Sequence, residues 1–145
     1  MKFLVMNGVN LNLTGFREKG VYGNETLAEI NAKIASYCKA NGDEAVFYQS
    51  NSEGLLVDKL HEAFLNRAYD GIIFNAGAYT HYSYALRDAI SSVNKPFVEV
   101  HMSNVHSREE FRHNSVISAV CKGIIAGLGE NSYHLAVRAI KEMVK

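Results

Sequence analysis

The sequence predicts an α/β three-layer sandwich, a five-stranded parallel sheet with helices on both faces. Three observations carry that prediction. Short apolar runs alternate five times with amphipathic stretches. The run GIIFN (71–75) is apolar from Gly71 to Phe74, as expected of a strand covered on both faces. Polar clusters follow strands one, three and four, and open parallel sheets bind ligands beyond the carboxyl ends of their strands.

The elements follow in order. KFLVM (2–6) reads as the first strand, and a long polar loop runs on to Asn24. Thr26 with Glu29 three residues later makes a capping box, opening a helix through Leu27, Ile30, Ile34 and Tyr37 that Asn41-Gly42 stops. Residues 45–49 form the second strand and 52–67 the second helix, with Leu55, Leu56, Leu60 and Phe64 at helical spacing. GIIFN is the third strand. A helix is expected over 81–93, then the fourth strand over 97–101. Ser107 and Glu110 suggest a second capping box and a short helix through Phe111. Residues 123–127 (GIIAG) give the fifth strand and 131–144 the closing helix. For five such units the commonest order is 2-1-3-4-5, a flavodoxin-like arrangement. Residues 1–145 are expected to form one domain, long enough to bury roughly 68–70% of the unfolded surface.

Composition narrows the function. Fifteen basic and fifteen acidic side chains cancel, which argues against a general nucleic-acid or anionic-membrane binder. No apolar stretch reaches the ~18 residues of a membrane span, and the N-terminus lacks a signal-peptide layout, so a cytoplasmic protein is expected. Cys38 and Cys121 stand far apart and read as buried free thiols. No HxH or HExxH pattern points to a metal site, no GxSxG elbow to a serine hydrolase, and no P-loop spacing to a nucleotide.

The clusters carry the chemistry. The densest is EVHMSNVHSREEFRH (99–113), with Glu99, three histidines and two arginines after the apolar start PFV. Glu99 and His101 are two apart, so on a strand they share a face and can hydrogen-bond. Arg108 and Arg112, four apart, would project from one face of a short helix. In NAGAYTHYSYALRD (75–88), Gly77 would permit close backbone approach to a ligand, and Asp88 lies about two turns beyond His81. NGVNLNLTGFREKGVYG (7–23) places Arg17 and Tyr22 in a loop long enough to act as a lid.

Together with QSNSEGLLVDKLHEA (49–63), NSVIS (114–118) and GLG (127–129), these clusters resemble the type II 3-dehydroquinate dehydratases over essentially the whole chain. Val9 departs from the proline common there. The resemblance implies a single catalytic domain that converts 3-dehydroquinate to 3-dehydroshikimate through an enolate, with no metal and no cofactor. It implies Tyr22 as base and His101 as acid, with Arg17 beside the tyrosine, Asn12 holding a water against the enolate oxygen, and Glu99 orienting His101. Asn75, Met102 and Ser103 would receive the substrate carboxylate, and His81 and Arg112 the ring hydroxyls. Asp88 would reach a neighbouring subunit's site in a dodecamer built from trimers.

Elementary electrostatics agrees with that assignment. A free phenol titrates near ~10, so holding Tyr22 as its anion near neutrality costs roughly 3–4 kcal/mol. One guanidinium at ~4 Å and an effective dielectric of ~20 supplies about 4 kcal/mol, within reach of Arg17 or Arg108. An imine-forming dehydratase would need a nucleophilic lysine and a larger barrel. A flavodoxin-like module that binds a small anion or nucleotide without catalysis is the alternative from another class.

Overall fold

The computed structural model describes residues 1–145, Tyr22 by its backbone alone. Five strands form, β1 (Lys2–Asn7), β2 (Glu44–Gln49), β3 (Gly71–Asn75), β4 (Phe97–His101) and β5 (Gly123–Ala126). They pair in parallel in the order β2-β1-β3-β4-β5. The helices are α1 (Lys19–Tyr22), α2 (Leu27–Ala40), α3 (Glu53–Asn66), α4 (Tyr84–Ser92) and α5 (Asn131–Met143). The expected flavodoxin-like topology is the observed one.

Side-chain alternation along the strands divides the core. Leu4, Met6, Ile72, Phe74 and Phe97 pack under α3 and α4, against Leu56, Leu60, Leu86 and Ile90. Phe3, Val5, Ile73, Val98 and Val100 pack on the other face under α2 and α5, against Ile30, Ile34, Val137 and Ile140. Each large side chain so buried contributes about 1.5–3 kcal/mol, and the central strands are buried along nearly their whole length. On β4 the residues that share the face of Phe97 are Glu99 and His101. The strand register sets Asn7 opposite Gln49 and Asn75, so the polar ends of these strands meet at one edge of the sheet.

Local chemistry fixed most boundaries. The Thr26 capping box forms on both sides, Thr26 Oγ1 accepting from Glu29 N–H and Glu29 accepting from Thr26 N–H. Ser52 caps α3. In α3, Leu56 and Leu60 turn inward as expected, but Leu55 and Phe64 are exposed and Ala63 takes the inner position. Of the two free thiols, Cys38 is buried and Cys121 only half-buried.

Three expectations are corrected. First, α4 begins at Tyr84 because Ser83 Oγ accepts from Leu86 N–H at 3.0 Å, and His81 ends a separate 3₁₀ turn, Gly77–His81. His81 and Asp88 therefore share no helix face. Second, Ser107 caps nothing: its hydroxyl donates to the Asn104 carbonyl, and Asn104 Oδ1 caps instead. Two 3₁₀ turns replace the expected helix, Val105–Ser107 and Glu110–His113, with Arg108 extended between them, so Arg108 and Arg112 share no helical face. Third, the close approach at Gly77 (φ +63°) is made to the chain itself as well as to the cleft it lines, since a Cβ there would lie 2.7 Å from the Val9 carbonyl oxygen. The loops after β1 and β3 are thereby pressed together.

Candidate active site

Glu99 is fully buried, and its carboxylate would be costly there without partners. It has three. Oε1 faces His101 Nε2 at 2.6 Å, while Oε2 accepts from Ser115 Oγ at 3.1 Å and from Ser118 Oγ. The two serines occupy the turn that leads to β5, so strand β4 supplies the pair and that turn supplies its clamp. With Nε2 committed to Glu99, Nδ1 is the nitrogen that His101 can offer elsewhere. Burial, reinforced by the Glu99 carboxylate, pushes the neighbouring Cys121 thiol up to about 12 and keeps it protonated.

A second buried chain of hydrogen bonds crosses the sheet edge. Tyr133 OH donates to Asn7 Oδ1 at 2.5 Å, Asn75 Nδ2 donates to Tyr133 OH at 3.1 Å, and Gly77 N–H donates to Asn75 Oδ1 at 3.2 Å. The strand ends β1 and β3 are thus tied to α5 by amides and a phenol.

These groups open onto one cleft. Asn75, His81, His101, Met102, Ser103, Arg108 and Arg112 line a narrow cavity of about 20 Å³, with Leu11 and Val105 as apolar walls. Met102, Ser103 and Arg108 also border a larger cavity of about 570 Å³, closed on its other side by Gly20, Val21, Gly23 and Glu25. The polar cavity is narrow and the space beside it larger. Arg108 Nη1 donates to Ser103 Oγ at 3.3 Å. Arg112 pairs with Glu109 and stacks its guanidinium 4.6 Å from the Phe111 ring centre.

His81 lies with its ring 6.5 Å from that of His101, nearly parallel. Its Nδ1 donates to the Asn114 carbonyl at 2.8 Å. Burial holds its pKa below the ordinary value; the Asn114 hydrogen bond opposes this, and His101 and Arg112 add to it. The lowered pKa favours the neutral ring, in which Nε2 is left as an acceptor.

Of the sequence-predicted residues, the structure gathers Asn75, His81, His101, Met102, Ser103, Arg108 and Arg112 around one cleft, with Glu99 behind His101. Three stand apart. Asn12 is exposed and outside the lining, because Asn10 (φ +66°) binds Asn51 Oδ1 through its N–H and turns Leu11, not Asn12, inward. Arg17 is half-buried, pairs with Glu18, and is absent from the cleft lining. Asp88 is exposed on α4, away from its own chain's cleft. The side chain of Tyr22, the expected base, lies outside the described residues. Sequence reasoning missed Tyr133, Ser115 and Ser118. The serines stood inside a quoted motif, but only the fold shows that they converge on Glu99.

Fold and site together define a flavodoxin-like α/β protein with a carboxylate–imidazole pair facing a polar cleft beyond its strand ends. The chain belongs to the class II dehydroquinase family, whose model (Dehydroquinase class II) matches residues 1–141. It is 59% identical over 137 residues to the 3-dehydroquinate dehydratase of Chlorobaculum tepidum, covering 94% of this chain and 91% of that protein. It is 51% identical over 145 residues to that of Anoxybacillus flavithermus, covering 100% and 97%. The crystal structure of type II dehydroquinase from Butyrivibrio crossotus superposes with a TM-score of 0.95 at 51% identity, covering 97% of each chain.

Proposed function

We propose that this chain is a 3-dehydroquinate dehydratase, a hydro-lyase that removes water from 3-dehydroquinate to give 3-dehydroshikimate in aromatic amino acid biosynthesis. The observation that carries the reading is the fully buried Glu99–His101 pair at the end of β4, facing the cleft that Asn75, Ser103 and two arginines share. A stability role alone would not keep so costly a pair at a strand end.

In this reading Tyr22, as phenolate, takes a proton from the carbon next to the ketone and an enolate forms. The enolate electrons then form the ring double bond as the C–O bond to the leaving hydroxyl breaks. His101 gives that hydroxyl its proton, and water departs. Solvent returns the proton from Tyr22 to His101 for the next turnover. Each proton-transfer partner contributes ~10²–10⁴ in rate. Glu99, clamped by Ser115 and Ser118, keeps the His101 ring oriented. Arg17 and Arg108 supply the positive charge that holds the phenolate. Neutral His81 accepts from a ring hydroxyl through Nε2, and Arg112 donates to another. Asn75 and Ser103 receive the substrate carboxylate beside the Met102 backbone. Asn12 is assigned to the enolate's water by resemblance alone, and its outward side chain must turn inward to serve there.

The resemblance assigns Asp88 to a neighbouring subunit's site in a dodecamer built from trimers, and its exposure on α4, outside the lining of its own chain's cleft, fits that reading. Exposed Leu55, Tyr82 and Tyr84 are apolar surface that such an assembly would cover. We read the enzyme as cytoplasmic; among the described residues no helix is long and apolar enough to cross a membrane.

Adding 3-dehydroquinate to purified protein should produce the ultraviolet absorbance of a conjugated enone, with no adduct after borohydride treatment. No enone would end the assignment, and a trapped adduct would replace the enolate route by an imine.

A further inference from the structure

We propose that Tyr133 is a positioning residue: its buried hydroxyl fixes the Asn75 amide with its NH₂ group, not its carbonyl, presented to the substrate cleft. The inference deepens the proposed function and rests on it, since it names the group that meets the substrate's anionic end.

The polarity of the chain is set from its Gly77 end. A backbone N–H can only donate, so the contact from Gly77 identifies the atom it meets as Asn75 Oδ1. Asn75 Nδ2 then points to Tyr133, and the phenol must accept from it. The phenol has one proton, and it goes to Asn7 Oδ1 at 2.5 Å. Tyr133 is fully buried and Asn75 and Asn7 nearly so, so no solvent competes for these bonds. Burial also pushes the Tyr133 phenol far above its ordinary range, which keeps that proton in place. Each contact demands the same orientation of its neighbour.

One hydrogen of Asn75 Nδ2 remains. It has no protein acceptor among the described residues, and Asn75 lines the cleft beside Ser103 and Arg108. An NH₂ donor there suits a carboxylate oxygen. A flipped amide would turn a carbonyl toward it and repel it. The neighbouring inward side chains of α5, Val137 and Ile140, are apolar, and the hydroxyl of Tyr133 is the group that ties this helix to Asn7 and Asn75 at the strand ends.

Tyr133→Phe keeps the ring and removes the link. KM for 3-dehydroquinate should rise about tenfold, the loss expected for a substrate hydrogen bond no longer held in place, while kcat changes less than about threefold. Val137→Ala, on the same helix and in the same core layer, should lower Tm by at least as much and leave KM unchanged. In the wild-type protein, titration with 3-dehydroshikimate should shift one of the two Asn75 side-chain NH₂ proton resonances and leave the other in place. An unchanged KM in Tyr133→Phe, an equal KM rise in Val137→Ala, or both or neither amide proton moving would overturn the inference. The resonance test stands even if Tyr133→Phe does not fold. A wild-type protein without turnover would refute the reaction itself; an active one with an unchanged KM in Tyr133→Phe refutes only the role of Tyr133.

Discussion

Two sides of the cleft differ in how they are held. On the wall made by the ends of β1, β3 and β4, the side chains of Asn7, Asn75, Glu99 and His101 are all buried, and each has a named hydrogen-bond partner. Across from it, residues 16–24 carry Arg17 and Tyr22. There Phe16 and Val21 are exposed, Glu18 sits in a left-handed backbone (φ +46°), and α1 has four residues and no side-chain cap. A helix of that length is not stable by itself. In the proposed mechanism the acid side of the site is therefore set before substrate arrives, and the base side depends on a segment with little packing to hold it, whose order a bound substrate would complete. Substitutions on the wall should cost stability and activity together, whereas those on the segment should cost activity alone.

Tyr22→Phe is the largest test of that contrast. Turnover should fall by about 10³ or more, in line with loss of a general base, while Tm stays within a degree of wild type and 3-dehydroshikimate still binds. Near-normal turnover would remove Tyr22 from the reaction, and a large fall in Tm would show the segment to be part of the rigid frame.

Glu99→Gln probes the wall. The amide keeps the shape but not the charge opposite His101, and it turns one end toward the serine hydroxyls as a donor. Turnover should fall by about 10². Stability should fall by about 1–3 kcal/mol, a loss of several degrees in Tm for a chain of this size. Retained Tm with lost activity would mean that the wall is no better anchored than the segment.

The wall and the segment also differed in how far the sequence revealed them. Strand alternation and capping boxes are local signals, and they placed Glu99 and His101 on one face before any fold was known. The clamp on Glu99 was not local: Ser115 and Ser118 sit 16 and 19 residues away. Tyr133 is 126 residues from Asn7 and reads in the sequence as one more inward residue of an amphipathic helix. Only the pairing of α5 with the sheet makes it polar machinery. The misplaced helix starts have a different cause, the choice of cap: Ser83 caps α4 two residues beyond His81, and Asn104 rather than Ser107 caps the turn after β4. The outward turn of Asn12 follows from the left-handed backbone at Asn10, which composition and spacing do not reveal.

Asp88→Ala tests whether the wall is complete within one chain. Asp88 is exposed and remote from its own cleft, so in an isolated chain its removal would change nothing. If a neighbouring copy brings it to the site, kcat/KM should fall about tenfold and sedimentation should show smaller assemblies. Full activity with an unchanged sedimentation profile would confine the site to one chain.

The smallest effect concerns the protonation of His81, which belongs to the wall and should titrate independently of the segment. Its folded-state pKa is lowered, chiefly by burial, so the unfolded chain takes up the proton first as pH falls. The contribution to stability is fully present above the ordinary value of ~6.5 and is lost as pH drops through and below it. Binding follows the same sign. While the ring is neutral, Nδ1–H holds Asn114 and Nε2 accepts from a substrate hydroxyl. Once protonated, Nε2 becomes a donor and adds charge beside His101 and Arg112. Affinity for 3-dehydroshikimate, measured by calorimetry, should be flat from pH 7.5 to about 6.5 and weaken severalfold by about pH 5. His81→Asn should flatten that curve, whereas Arg17→Ala should lower affinity throughout without moving its midpoint. A midpoint that moves with Arg17→Ala would show that segment and wall titrate as one unit, and the contrast between them would not survive.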